Sequence, residues 1–275
     1  MKEIFAGKRA LVIGGTGGIG RAVALGLAER GAAVTITGGA SRERLDAALA
    51  DLDAVSPPFC AAGPGAGGHR GFLCRIGRPD HGRPGGNRPG PQQQGGLSPE
   101  EAAGFILERT AEPEGPNILV IAWGPFKRAS LGGTTPADWR FLTENNLIFP
   151  GILVSAVING MVHKKWGRIL LFGGTRTGEI RGFSTTAAYS AAKTALGVLV
   201  KSAAKAAKNT GVTCNALCPG FTDTEYLSPQ EREYNREKSP GGRALVPGEV
   251  ARIALEILEN PLRNGELIAV ERGVP

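Results

Sequence analysis

The amino-acid sequence predicts an α/β protein: one doubly wound parallel sheet forming a single domain over residues 1–275. Three observations carry that expectation. Short apolar runs alternate with helical stretches along most of the chain, the pattern of parallel strands joined by crossover helices. A glycine-rich segment, Gly14–Gly20, links the first run to the first helix. Turn residues close the later runs: Gly124, Gly173-Gly174-Thr175 and Pro219-Gly220 all stand where strands should end. In open α/β sheets, ligands bind at those carboxyl ends.

The elements follow in order. Ala10-Leu11-Val12-Ile13 reads as the first strand, and the helix after the glycines should run to about Arg30. Gly14-Gly15-Thr16-Gly17-Gly18-Ile19-Gly20 fits Gly-x-Gly-x-x-Gly (15, 17, 20) and also Gly-x-x-x-Gly-x-Gly (14, 18, 20). Such glycines let backbone N–H groups approach a pyrophosphate and aim a helix N-terminus at it. Dinucleotide binding by Gly14, Thr16, Gly17, Gly18, Ile19 and Gly20 is therefore expected. Ala33–Thr37 is the second strand. An NAD site usually carries an acid after this strand, for the ribose 2′-hydroxyl. Gly38-Gly39 stands there instead, with Ser41 and Arg42 next. Gly39, Ser41 and Arg42 are thus placed for a 2′-phosphate, which favours NADP over NAD. Arg42 could equally be a solvated residue in the first turn of a helix at 41–52.

Residues 56–97 break the pattern with 12 glycines and seven prolines. Little of this can bury a core. Only Gly71-Phe72-Leu73-Cys74-Arg75-Ile76 suits a third strand. The rest is read as a surface insertion in preference to a lid. The abrupt change of composition at both ends also fits a local shift of reading frame.

Ser98-Pro99-Glu100-Glu101 opens a helix to about Thr110, with a cap, a first-turn proline and acids at its positive end. Asn117–Ala122 is the fourth strand, and a helix from Pro136 carries Asn145 and Asn146. Arg168–Phe172 is the fifth strand, Val212–Leu217 the sixth, and Leu267–Val270 the last. A polar stretch at 225–243 precedes a helix at Pro247–Leu258. Ala187–Leu196 begins the helix between the fifth and sixth strands. Tyr189 and Lys193 are four apart there, so they share one helix face. A cation beside a phenol favours the phenolate, and a phenol so tuned can act as a general acid or base.

Composition narrows the classes. Formal charge is +7, but five arginines and one acid in residues 56–99 supply +4 of it, so no nucleic-acid face is expected. The four cysteines, Cys60, Cys74, Cys214 and Cys218, form no disulfide framework or zinc pattern. With no signal peptide, a cytoplasmic protein without metal is expected. No apolar run approaches the ~18 residues of a membrane span.

Taken together, Gly14-x-x-x-Gly18-x-Gly20, Asp138-Trp139 followed by Asn146-Leu147, Tyr189-x-x-x-Lys193 and Pro219-Gly220-x-x-x-Thr224 resemble the short-chain dehydrogenase/reductase family. The likeness is greatest to its 3-oxoacyl-carrier-protein reductase branch and spans all but about 56–97. It implies a Rossmann fold and hydride transfer between a nicotinamide and a carbonyl or alcohol substrate. Tyr189 would be the proton donor. Lys193 would hold the ribose and lower the Tyr189 pKa, and Asn146 would hold a relay water. Pro219, Gly220, Thr222, Thr224 and Gly124 would line the cofactor. The family pairs helices such as 136–163 and 188–209, which implies a homodimer or homotetramer. Two departures stand out. Ile121-Ala122-Trp123-Gly124 replaces Asn-Asn-Ala-Gly, and Gly174-Thr175 stands where the family has its serine, so Thr175 is expected to supply that hydroxyl. These losses motivate one alternative, a nucleotide-binding protein of the same fold without turnover.

Overall fold

The computed structural model describes residues 3–39, 41–55, 70–74, 97–110 and 115–271. Seven strands form one parallel sheet: β1 Arg9–Ile13, β2 Ala33–Gly38, β3 Arg70–Leu73, β4 Ile118–Ile121, β5 Gly167–Phe172, β6 Val212–Pro219 and β7 Leu267–Val270. Their order is β3-β2-β1-β4-β5-β6-β7. The order reverses between β1 and β4, which places the crevice for a ligand at the end of β1.

Strand alternation divides the core in two. On one face Val12, Val34, Ile36, Val120 and Leu170 meet helices α1 Gly18–Ala28, α2 Arg42–Val55 and α8 Pro247–Glu259. On the other, Leu11, Ile13, Leu119, Ile121 and Leu171 meet α3 Pro99–Thr110, α5 Phe149–His163 and α6 Ala187–Ala206. Successive residues of one strand serve opposite faces, so strands buried on both sides are continuously apolar, as the sequence shows. The third strand occupies Arg70–Leu73, pairing in parallel with β2. Cys74 lies past its end, and residues 56–69 and 75–96 of the insertion fall outside the described residues.

Two elements differ from expectation. The helix from Pro136 is not uniform. Its first part, α4 Pro136–Thr143, joins α5 through a π turn at Glu144–Ile148, where Phe149 N–H reaches back to the Glu144 carbonyl. The cause is local. Asn145 Nδ2 donates to Phe141 O (2.6 Å) and Asn146 Nδ2 to Leu142 O (3.0 Å), so side-chain amides compete for carbonyls of the helical ladder. Over the whole stretch Pro136–His163 the mean hydropathy of the most apolar window is 1.5, within the range of a membrane-crossing helix by length and composition. Its buried residues nevertheless include Asn145 and Asn146 beside Phe149, Leu153, Val157 and Met161, and the last four pack into the core under the sheet.

The polar stretch before α8 contains a further helix, α7 Pro229–Lys238. A capping box starts it: Ser228 and Glu231 bond each other's backbone N–H, with Pro229 in the first turn. Of its residues only Asn235 is buried, so apolar periodicity could not reveal it.

Candidate active site

The glycine loop turns directly off β1. Gly14 has φ +81, a conformation that favours glycine. A Cβ on Gly20 would strike the Gly14 carbonyl, so α1 can start this close to the strand only with glycine there. Thr16 is buried, and its Cγ2 lies 2.5 Å from where a Gly38 Cβ would be. Any side chain at the end of β2, an acid included, would collide with it. Gly39 faces open space. Ile19 packs on the core from inside α1.

Beyond β2, Ser41 Oγ accepts from Arg44 N–H (3.2 Å) at the start of α2. The Arg42 side chain is 77% exposed and pairs with Asp46 at 3.1 Å on the solvent side. Arg44, not singled out from the sequence, turns toward the glycine loop. Its guanidinium lies 4.8 Å from the centre of the Tyr226 ring, and the Tyr226 hydroxyl sits against the loop, where a Cβ on Gly17 would clash with it. The carboxyl end of β6 reaches the same place. Gly220 N–H bonds Val270 O (2.8 Å), Thr222 bridges to Leu245, and the Thr224 methyl comes within 3.4 Å of a Cβ built on Gly18. Pro219 remains within β6, paired with Val270.

The second half of the site lies at the ends of β4 and β5. Lys193 is 6% exposed, and its Nζ donates to the Phe172 carbonyl at 2.7 Å. Its Nζ stands 5.8 Å from the centre of the Tyr189 ring. Gly124 brings the asparagine helix to this pair. A Cβ there would clash with Asn146 Oδ1 and lie 3.1 Å from Lys193 Nζ. Asn146 is fully buried and held by Pro125 O and Leu142 O through its Nδ2, while its Oδ1 has no hydrogen-bond partner among the described residues. Four residues on, Pro150 has no N–H to offer the Asn146 main-chain carbonyl. Ile121 and Ala122 stand where the family has its asparagine pair, and Trp123, in place of the alanine that follows, sets its ring edge-on to Phe149 (6.2 Å) and backs Gly14. An apolar brace thus replaces a polar one.

The neighbours of Tyr189 differ from expectation. Gly174 faces the phenol: a Cβ there would be 3.1 Å from both Tyr189 Oη and Cε1. Thr175 is exposed and lines a cavity of about 280 Å3 with Arg176, Gly220, Phe221, Lys238 and Arg243. The buried hydroxyl nearby, Thr177 Oγ1, is committed to the Gly174 backbone, accepting from its N–H (2.6 Å) and donating to its carbonyl (2.7 Å). Phe126 packs edge-on to the Tyr189 ring at 4.9 Å.

Burial dominates the charges. The Tyr189 phenol is pushed up to about 12, first by burial and then by the neighbouring Cys218. This corrects the expected lowering by Lys193, whose ammonium is turned to Phe172 O. Lys193 itself is brought down to about 8 by burial, against an opposing influence of Cys218. In each case burial shifts the balance toward the neutral form, although a lysine at about 8 still carries its proton at pH 7.

A nucleotide-binding loop and a lysine–tyrosine pair on one helix face, at the same end of a doubly wound sheet, define a dinucleotide-dependent enzyme class. Comparison with known proteins gives the family. Residues 98–274 match the family model described as enoyl-(acyl carrier protein) reductase, and residues 8–63 that of short chain dehydrogenase. The chain belongs to the short-chain dehydrogenase/reductase family. It is 30% identical to a 3-oxoacyl-acyl-carrier-protein reductase of Vibrio cholerae, over 98% of this chain and 97% of that one. It is 27% identical to D-beta-hydroxybutyrate dehydrogenase of Cupriavidus necator, over 90% of each. A solved 3-oxoacyl (acyl-carrier-protein) reductase of Agrobacterium tumefaciens with NADP bound superposes with a TM-score of 0.77 at 27% identity, covering 97% of this chain and 93% of that one. The protein is accordingly a nicotinamide-dependent oxidoreductase acting on hydroxyl or carbonyl groups.

Proposed function

We propose that this chain reduces a small carbonyl substrate, or oxidises the matching alcohol, with NADP. The observation that carries the reading is the convergence of Tyr189, Lys193, Asn146 and Gly124 at the strand ends that also present the glycine loop. The loop's chemistry fits a dinucleotide. Gly18 N–H already holds an anionic group, the carboxylate of Glu225, at 2.9 Å. The nicotinamide supplies or accepts the hydride when bound. The remaining work belongs to the protein. Tyr189, a neutral phenol at pH 7, gives its proton to the carbonyl oxygen as negative charge develops there. Lys193 orients the ribose. Asn146, whose buried Oδ1 has no hydrogen-bond partner among the described residues, suits the water-holding role implied by the resemblance. Thr175 is assigned the substrate-orienting hydroxyl that the resemblance implies, although Gly174 is the residue that faces the phenol.

Cofactor choice rests on the end of β2. Thr16 blocks a carboxylate at Gly38, Gly39 is open, and two arginines follow. NADPH should bind at least about ten-fold more tightly than NADH, a difference of ~1.4 kcal/mol. Arg44→Ala is expected to erode that preference more than Arg42→Ala, because Arg44 turns to the loop while Arg42 is tied to Asp46. A fluorescence titration giving equal affinities for both cofactors would sink the assignment.

The same reading includes a homodimer or homotetramer through the outer faces of the two long helices. Ile148 and Val198 are 40% and 66% exposed there. Light scattering that shows only monomer at micromolar concentration would count against it.

A further inference from the structure

We propose that Glu225 is a built-in rival of the dinucleotide's diphosphate, and that its departure from the helix N-terminus sets the affinity for the cofactor. The inference rests on the nucleotide reading above and concerns a residue no motif identifies. Glu225 Oε1 accepts from Gly18 N–H at 2.9 Å, across 207 residues of sequence. The contact extends along the loop. A Cβ on Gly17 would clash with both the Glu225 carboxylate and the Tyr226 hydroxyl, so the two segments meet with only glycine between them. Tyr226 in turn sets its ring 4.8 Å from the Arg44 guanidinium.

Physical chemistry makes this more than a surface contact. The first N–H groups of a helix have no partner within it, and the aligned peptide dipoles place partial positive charge there. A carboxylate and a phosphate satisfy that end equally well, and both form charge-assisted hydrogen bonds. Two anions cannot share one N–H. A diphosphate seated on Gly18 therefore requires the Glu225 side chain to swing away.

The backbone permits this. Upstream, Thr222 bridges to Leu245 and Asp223 N–H bonds Leu245 O at 2.8 Å. Downstream, Ser228 caps α7, and Arg232 holds the carbonyls of Thr224 (3.1 Å) and Leu227 (3.4 Å). The turn between is thus anchored to its own side of the site. Its polar links to the glycine loop and Arg44 run through the side chains of Glu225 and Tyr226. These can rotate while the anchors stay formed.

Two measurements test the proposal. Calorimetric titration with NADPH should give a Kd about ten-fold lower for Glu225→Ala than for the wild-type protein, with Glu225→Gln between them. ADP, which carries the diphosphate without the nicotinamide, should gain by a similar factor. In the protein alone, hydrogen exchange at the Gly18 amide should be about ten-fold faster in Glu225→Ala. Equal or weaker NADPH binding by the variants overturns the proposal, as does unchanged exchange at Gly18. If neither wild type nor variant binds NADPH, NADH or ADP, the nucleotide reading fails and takes the rivalry with it. Equal binding by all of them leaves that reading intact and removes only the role of Glu225.

Discussion

Tyr189→Phe should lower turnover by at least about 10³-fold while NADPH affinity stays within a factor of about two. The variant keeps the ring, and with it the edge-on contact to Phe126 and the packing against Gly174. Only the hydroxyl goes. In the wild type that hydroxyl is protonated throughout the neutral range, because burial holds its pKa at about 12. In the proposed mechanism it is a loaded donor for the oxygen on which alkoxide charge develops. Elsewhere, removing one such donor costs roughly 10²–10³ in rate. The loss here should lie at the upper end or beyond. Gly174 offers no hydroxyl beside the phenol, and Thr177 spends its own on the Gly174 backbone. Steady-state kinetics with a panel of ketones, paired with cofactor titration, checks this. A variant that keeps a tenth of the wild-type rate would show that another group, Thr175 first among them, delivers the proton.

Lys193→Met should abolish most turnover and also change how stability responds to pH. Lys193 falls from its usual 10.5 to about 8 because the folded protein buries its ammonium. Between pH 8 and 10.5 the unfolded chain binds more protons at this site than the folded one. Stability from this residue therefore rises with pH across that window, and is lost again as pH falls through 8. The full swing is on the order of 3 kcal/mol, at ~1.4 kcal/mol per pH unit. Methionine has no proton to lose. Denaturant unfolding at pH 7.5 and pH 10 should show the wild type gaining about 2–3 kcal/mol relative to Lys193→Met. The higher pH stops at 10 for a reason. Tyr189, raised to about 12, keeps its proton in the folded state from 10 to 12 and works in the opposite direction. A stability difference that does not move with pH would mean that the Lys193 ammonium is solvated.

Much of this protein is decided within short windows of its sequence. The apolar runs that became β1, β4 and β5 bury residues on both faces of the sheet, and continuous hydrophobicity is the local mark of that. The glycine loop is legible because Gly14 and Gly20 answer constraints of their own turn. Tyr189 and Lys193 are brought together by helical pitch alone. Asn146 was legible as a candidate, and its own side chain helps explain the π turn around it. The remaining features were settled by contacts that no window contains. Spacing pointed to Thr175, but the fold sets Gly174 beside the phenol and leaves Thr175 exposed. Arg42 and Arg44 are two residues apart, and only the fold shows that one pairs with Asp46 while the other reaches Tyr226. Glu225 meets Gly18 across 207 residues. The direction of the Tyr189 shift could not be read from the neighbouring lysine either. Pairwise charge favours the phenolate, but burial favours the phenol, and burial is a sum over every element packed around the ring.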